Sequence, residues 1–224
     1  GEQKTWEFDH ILVGVGRAPN VEGIGLEAAG VTFDERKGVD VDAWLRTSNK
    51  KIFAVGDVAM DYKFTHTAGA TARIVIQNAL FKGRKKYTDL IVPWCTYTQP
   101  EIAHVGLYEE AAKEAYGDAV VTFRQDFAEM DRSILESHTE GFVKVHAVKG
   151  RIVGATIVGE HAGDLISEIT VAMQGGVKLS ALSGVIHPYP TTAEAIQRIG
   201  DVYNKTRFTP LVAKLFQTWL KWTG

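Results

Sequence analysis

The chain has 224 residues, 45% of them hydrophobic, and 25 Lys and Arg against 27 Asp and Glu for a formal net charge of −2. That size and apolar content allow a sizeable buried core in one to two domains, and the near-neutral balance gives no support for a nucleic-acid surface. The single cysteine, Cys95, excludes an internal disulfide and suits a reducing compartment, so a cytoplasmic location is expected; no apolar window reaches the roughly 18 residues of a membrane span, and no signal peptide opens the chain.

The first residue is Gly1 rather than Met, and Trp6 to Gly14 already reads as a strand in progress, so a piece of a longer protein is expected. Phe8 to Val15 is predicted as a strand, followed by a turn at Arg17-Ala18-Pro19-Asn20. Two short strands are predicted at Val39 to Val41 and Ile52 to Val55, separated by a polar loop containing Thr47, Ser48 and Asn49. The second stops at Gly56-Asp57, as a parallel sheet does when it delivers a carboxylate to its ligand-binding edge, where a ribose or ribityl hydroxyl could donate to Asp57. Taken alone this pattern is weak, since any α/β turn can use Gly-Asp. Phe64-Thr65-His66-Thr67 then opens a helix whose N-terminal N–H groups would face an electron-rich ligand edge, with Ala68, Gly69, Ala70 and Ala72 allowing close approach. Its continuation, Ala70 to Phe81, is expected to turn Ile74, Val75, Ile76, Ala79 and Leu80 inward. Lys82, Arg84, Lys85 and Lys86 read as a solvated loop after it.

From Val92 the pattern changes to an α+β arrangement of antiparallel strands with helices on one side. Strands are predicted at Trp94 to Thr98, Ile102 to Val105, Val120 to Arg124, Phe142 to Val148 and Arg151 to Val158, with a hairpin turn at Lys149-Gly150. His161 to Gln174 is a helix with Leu165, Ile166, Ile169, Ala172 and Met173 as its apolar stripe. Cys95, alone on an apolar strand, reads as a small core residue. No zinc spacing occurs among the histidines, so no metal site is expected, and His138 and His146 are expected to face solvent or a cap.

His187-Pro188-Tyr189-Pro190-Thr191-Thr192-Ala193-Glu194 packs two prolines, a phenol, an imidazole and a carboxylate into one turn. Each proline fixes its own φ and biases the preceding residue toward extended backbone, so His187 and Tyr189 point in restricted directions. Thr191 or Thr192 is expected to cap a helix with Glu194 in its first turn. Phe208 to Trp222 places Leu211, Val212, Leu215, Phe216, Trp219, Leu220 and Trp222 at helical spacing opposite Lys214 and Lys221. It reads as a helix docked on the core, with a membrane-surface or partner-binding helix as the alternative.

In order, Gly14-Val15-Gly16-Arg17-Ala18-Pro19-Asn20, Phe53 to Ala59, Pro100-Glu101-Ile102-Ala103-His104-Val105-Gly106-Leu107 and His187 to Glu194 resemble the second half of the flavin-dependent pyridine nucleotide-disulfide oxidoreductases. This family includes dihydrolipoamide dehydrogenase, glutathione reductase and mercuric reductase. The resemblance implies the end of a nicotinamide-binding domain at 1–20, the latter part of an FAD-binding α/β unit at 21–90, an interface domain at 91–207 that pairs as a homodimer, and a C-terminal helix at 208–224. It implies FAD and NAD(P)H as cofactors of a full-length parent. Asp57 is implied as a ribityl acceptor, and Lys63, Phe64, Thr65 and His66 as the stretch that approaches the flavin ring, mainly through backbone N–H groups. His66 is equally readable as a helix start with no side-chain chemistry.

In most disulfide reductases of the family a histidine precedes the Pro-Thr of the last motif, bonds a glutamate and serves the partner subunit's redox disulfide. Here Tyr189 takes that place, Glu194 matches the glutamate, and His187 lies two positions earlier. A phenol titrates near 10 and an imidazole near 6.5, so Tyr189 is a poor general base for dithiol oxidation. Mercuric reductases also carry tyrosine there, but with a C-terminal cysteine pair that Phe216 to Gly224 lacks. The expected role of Tyr189 is to orient a substrate or redox thiolate with Glu194 and His187, against simple packing at the dimer seam. The expected acceptor is a small molecule or metal thiolate. Neither a Gly-x-Gly-x-x-Gly near a first strand nor a Cys-x-x-x-x-Cys is present, so the alternatives are a dimerisation module inactive as it stands or part of a dihydrolipoamide dehydrogenase or other thiol reductase. Leu165, Ile166, Ile169, the His187 to Glu194 turn and the Trp94 to Thr98 edge are expected at the dimer surface.

Overall fold

A computed structural model describes residues 3–223, which divide into two compact units, one running to Leu90 and one from Ile91. The first is sparsely structured. A short antiparallel pair, β1 (Phe33–Asp34) and β2 (Gly38–Val39), is closed by Asp34, whose Oδ1 accepts the backbone N–H groups of Arg36 and Lys37, each at 2.8 Å. A single-turn 3-10 helix covers Gly56–Val58, and helix α1 runs Thr65–Phe81.

The apolar residues form two small cores, Val21, Val31 and Val39 in one, Leu45, Met60 and Ile74 in the other. The strand expected over Phe8 to Val15 forms no ladder among the described residues, and its apolar side chains are exposed. Ile52 to Val55 is extended but makes only one bridge, Phe53 to Arg46, because an isolated apolar run becomes a strand only where a second backbone offers matching groups. In α1, Ile74 is buried as expected, whereas Ile76 and Leu80 face solvent.

The second unit is the expected α+β arrangement. Strands β3 (Trp94–Thr96), β4 (Glu101–Gly106), β5 (Val120–Asp126), β6 (Phe142–Val148) and β7 (Arg151–Gly159) form one antiparallel sheet in the order β3-β4-β7-β6-β5. The β6–β7 hairpin turns on Lys149 and Gly150, with φ of 50° and 79°, the left-handed pair that matches strand twist. Strand alternation turns Ala103, Val105, Phe123, Val143, Val145 and Ile157 to one face.

Three helices cover that face: α4 (Ala162–Gln174) through Ile166, Ile169 and Ala172, α5 (Leu179–Leu182), and α6 (Glu194–Thr206) through Ile196 and Ile199. Helices α5 and α6 approach so closely that a Cβ on Gly200 would lie 2.5 Å from the Ser183 nitrogen. Helix α2 (Glu109–Tyr116) crosses the opposite face against β5, β6 and β7, and the short α3 (Asp131–Leu135) follows β5. Helix α7 (Pro210–Thr223) is amphipathic as predicted but buries no residue, which corrects the expectation that it docks on the core.

His104 and His146 lie on the sheet face turned away from α4 and α6. Contrary to expectation His146 is fully buried, its Nδ1 2.9 Å from the Thr122 hydroxyl and its Nε2 without a hydrogen-bond partner. His104 is buried between the Thr156 hydroxyl at 2.9 Å and the Gly106 carbonyl at 3.0 Å, and stacks on Tyr108. His138 is exposed, as expected, and pairs with Glu160.

Burial pushes the pKa of both His104 and His146 down, and the Lys144 charge adds to it at His146. The fold therefore holds both imidazoles neutral, while the unfolded chain protonates them near pH 6.5. Their contribution is complete above about pH 6.5 and is lost as pH falls below it, toward the lowered folded value, at up to about 1.4 kcal/mol per pH unit and site. Urea unfolding between about pH 7.5 and 5.5 should give a flat stability followed by a fall on the acid side, reduced in His146→Gln; a flat profile throughout would contradict the buried neutral pair.

Candidate functional site

The residues singled out by sequence fall into two groups, one in each unit. In the first unit, the chain leaves the extended run at Val55 and turns at Gly56, whose φ of 72° favours glycine. A Cβ there would lie 3.0 Å from the Ala68 Cβ, so the turn is pressed onto the first turns of α1. This leaves the Asp57 carboxylate half-exposed, 3.9 Å from Arg17 Nε, while Arg17 Nη1 donates to the Lys63 carbonyl.

Lys63 does not reach outward; its Nζ donates to the Asp57 carbonyl at 2.8 Å and the Met60 carbonyl at 3.3 Å, tying the loop shut. Phe64 precedes the helix in extended conformation and no side chain caps the helix start, so Thr65, His66 and Thr67 carry the helix's positive end. The His66 ring stacks on Phe64 with centroids 5.1 Å apart and planes 11° apart. Thr67 is buried, and its hydroxyl has no hydrogen-bond partner.

In the second unit the Tyr189-Pro190 peptide is cis, and the turn it makes is held from three sides. The Tyr189 hydroxyl donates to Asp131 Oδ2 on α3 at 2.6 Å. His187 is drawn inward, with 6% of its side chain exposed, its Nε2 3.0 Å from Glu168 Oε1 on α4 and its Nδ1 3.1 Å from the Val185 carbonyl. Thr191 Oγ1 donates to the Pro188 carbonyl at 2.8 Å. Neither threonine caps a helix: α6 starts at Glu194 after an αR residue, Ala193, with no side-chain cap, because the Thr191 hydroxyl is already used inside the turn.

Glu194 accepts from Arg198 Nη2 at 3.0 Å and Nε at 3.3 Å, and Arg198 Nη1 donates to the Glu129 carbonyl at 2.9 Å. Tyr189 and Glu194 thus share a turn but have separate partners. Of the three candidates in this turn only Tyr189 stands open, 71% exposed. Its hydrogen bond to Asp131, the charge of Asp131 and, less strongly, that of Glu194 raise its pKa above the usual phenol value. At neutral pH it is a phenol whose proton is committed to Asp131 and whose oxygen lone pairs remain available.

Asp131, Glu168 and Arg198 were not among the sequence-based candidates. Arg198 was recoverable as the i+4 partner of Glu194; the other two lie far from their partners along the chain and leave no periodic signal. Cys95 is a half-buried residue packed against the sheet core, and burial, followed by the charge of Glu101, pushes its thiol pKa up, which disfavours a nucleophilic role. No cluster of three or more metal-ligating side chains occurs among the described residues.

Residues 1–72 match the model of the pyridine nucleotide-disulphide oxidoreductases, and residues 92–199 that of the family's dimerisation domain. A dihydrolipoyl dehydrogenase of Thermus scotoductus is 38% identical over 92% of this chain and 44% of its own length; a mercuric reductase of Staphylococcus aureus is 37% identical over 92% and 38%. Among solved structures, LpdA of Mycobacterium tuberculosis superposes with a TM-score of 0.79 at 27% identity, covering 87% of this chain and 42% of that one. The HOCl-induced flavoprotein disulfide reductase RclA of Escherichia coli gives 0.77 at 27% identity over 84% and 44%. The chain spans less than half the length of these relatives. With two models of one family matched in order and the same fold in its solved members, the chain belongs to the pyridine nucleotide-disulphide oxidoreductases.

Proposed function

We propose that this chain closes the flavin site and forms the dimer interface of an FAD-dependent NAD(P)H oxidoreductase whose acceptor is a small molecule or metal thiolate. The observation that carries the reading is the turn at Gly56 and Asp57, pressed onto an uncapped helix start with a half-exposed carboxylate beside it. These residues fit a flavin. Asp57 would take a ribityl hydroxyl, Gly69 has open space beside it for close approach, and the buried Thr67 hydroxyl still lacks a partner. FAD, when bound, supplies hydride acceptance from the nicotinamide and electron delivery to the acceptor. The chain's own part is the positive end of α1, which favours negative charge near the ring, and a loop that Lys63 keeps rigid.

At the other site Tyr189 binds and orients, because its raised pKa leaves it unfit to take a proton at neutral pH. Its exposed oxygen would accept a hydrogen bond from substrate or lie against a thiolate-bound metal, while Asp131 fixes the ring's direction. The observation that favours an acceptor other than a simple dithiol is this phenol. With one cysteine, the chain as it stands holds no redox disulfide, so turnover belongs to a longer polypeptide.

The dimer surface needs correcting. Ile166 and Ile169 are core residues on the buried side of α4, and Leu165 packs against the same core, so none of them forms an exposed patch. Exposed apolar side chains on the elements bonded to this turn include Val171 on α4, Leu135 on α3 and Ile186 just before the turn, the last 93% exposed. The Tyr189–Asp131 and His187–Glu168 bonds hold those three elements together, which supports a self-complementary face there.

Three outcomes test the proposal. In sedimentation, the double variant Val171→Asp/Ile186→Asp should turn a dimer of this chain into a monomer with unchanged circular dichroism; unchanged sedimentation would remove the face from the interface. In the full-length protein Asp57→Ala should weaken FAD retention by about tenfold, the worth of one charge-assisted hydrogen bond, and undiminished flavin content would exclude Asp57 as a ligand. With dihydrolipoamide the full-length wild type should turn over slowly and Tyr189→His about a hundredfold faster. Ample wild-type turnover would instead make the enzyme a dihydrolipoamide dehydrogenase.

A further inference from the structure

Helix α7 lies outside both matched family segments and is the one described helix of more than two turns that buries nothing. At 100° per residue, Leu211, Trp222, Leu215, Trp219, Val212, Phe216 and Leu220 spread over one half of its circumference, interrupted there only by Thr223 at its last position. Lys214 and Lys221 sit at the centre of the remaining polar arc, between Gln217 and Thr218. The apolar half is open to solvent, with Leu215 62% and Trp219 58% exposed.

Charge separates this end from the rest. After Asp201 the chain has no acidic residue and four cationic ones, Lys205, Arg207, Lys214 and Lys221, whereas residues 1–201 carry 27 acidic against 21 basic side chains, a net of −6. Pairing α7 with α7 of a second copy would bring Lys214 and Lys221 of one copy beside those of the other, like charge against like. No helix is long and apolar enough to cross a membrane among the described residues. What the apolar half of α7 fits is a boundary between hydrocarbon and anionic headgroups. Tryptophan and phenylalanine are favoured at that depth, and lysines on the polar face are drawn to anionic headgroups.

We propose that α7 lies in the plane of an anionic phospholipid surface, with its apolar half in the acyl boundary and Lys214 and Lys221 at the headgroups. Its test is co-sedimentation of the 224-residue chain with phosphatidylcholine vesicles containing phosphatidylglycerol, and with phosphatidylcholine alone. The chain should partition about tenfold more strongly to the anionic vesicles, and less as salt is raised. Leu215→Glu/Trp219→Glu should lower that partitioning about tenfold, and Lys214→Glu/Lys221→Glu should abolish the preference for anionic lipid. Both variants should keep the wild-type circular dichroism, since α7 buries no residue. Equal partitioning of wild type and the Leu215→Glu/Trp219→Glu variant would overturn the proposal. So would failure to bind vesicles together with dissociation of an oligomer by that variant, an outcome that assigns the face to a second copy.

Discussion

Burial of one face of the β3-β4-β7-β6-β5 sheet beneath α4 and α6 is the constraint on which the second unit depends. Val143, Val145 and Ile157 from the strands and Ile169, Ile196 and Ile199 from the helices form one continuous core. Removing such side chains from water at about 25 cal/mol per Å² is the largest favourable term available to a unit of this size. The same packing fixes where the helices begin and which way their polar edges face. Helix α4 presents Glu168 to His187, and α6 presents Glu194 and Arg198 beside the turn. The exposed site is therefore a by-product of core geometry: the two prolines restrict the turn, but its direction is set by helices that the core immobilises.

How much of this was legible in the sequence follows from the range of the interactions. Strands β5, β6 and β7 announce themselves because alternation is a local signal and each pairs with a neighbour inside the chain. Ile52 to Val55 carries an equally apolar run, yet makes one bridge, since strand formation needs a second backbone and apolar composition cannot supply it. The same reasoning covers Phe8 to Val15. At the site, Glu194 and Arg198 stand one helical turn apart and are readable. The Tyr189–Asp131 bond joins residues 58 positions apart, and the His187–Glu168 contact joins residues 19 apart, so each depends on a finished tertiary structure. The burial of His146 was missed for a related reason. Its strand neighbours alternate correctly, but whether the second face of a sheet meets water or a helix is decided by α2, an element with a polar sequence of its own.

The two units also differ in how completely they satisfy themselves. Beyond Ile91 the described core is continuous, whereas before Leu90 it is two clusters of three buried residues each, bordered by half-buried neighbours. What order the first unit has is supplied largely by polar closure of loops. Asp34 and Asp42 each accept two backbone N–H groups, Thr47 bonds the carbonyls of Asn49 and Ile52, and Lys63 bonds those of Asp57 and Met60. Such local bonds hold a loop in shape at a net gain of about 1 kcal/mol each, which would suit the proposed role of this surface in receiving a ligand without rearranging.

The phenol of Tyr189 has the sharpest chemical consequence. An imidazole in its place would have two nitrogens, one to be oriented by a carboxylate and one to exchange a proton with substrate near neutral pH. A phenol has a single oxygen, and its one proton is already given to Asp131 at 2.6 Å. Moving that proton to Asp131 would place a phenolate beside a carboxylic acid, against the ordinary order of their pKa values by about six units, and Glu194 opposes it further. The group can therefore direct, accept a hydrogen bond and shield, but it cannot carry a proton through a catalytic cycle at neutral pH. An enzyme built on this turn must draw its acid and base from elsewhere or reduce an acceptor that needs neither.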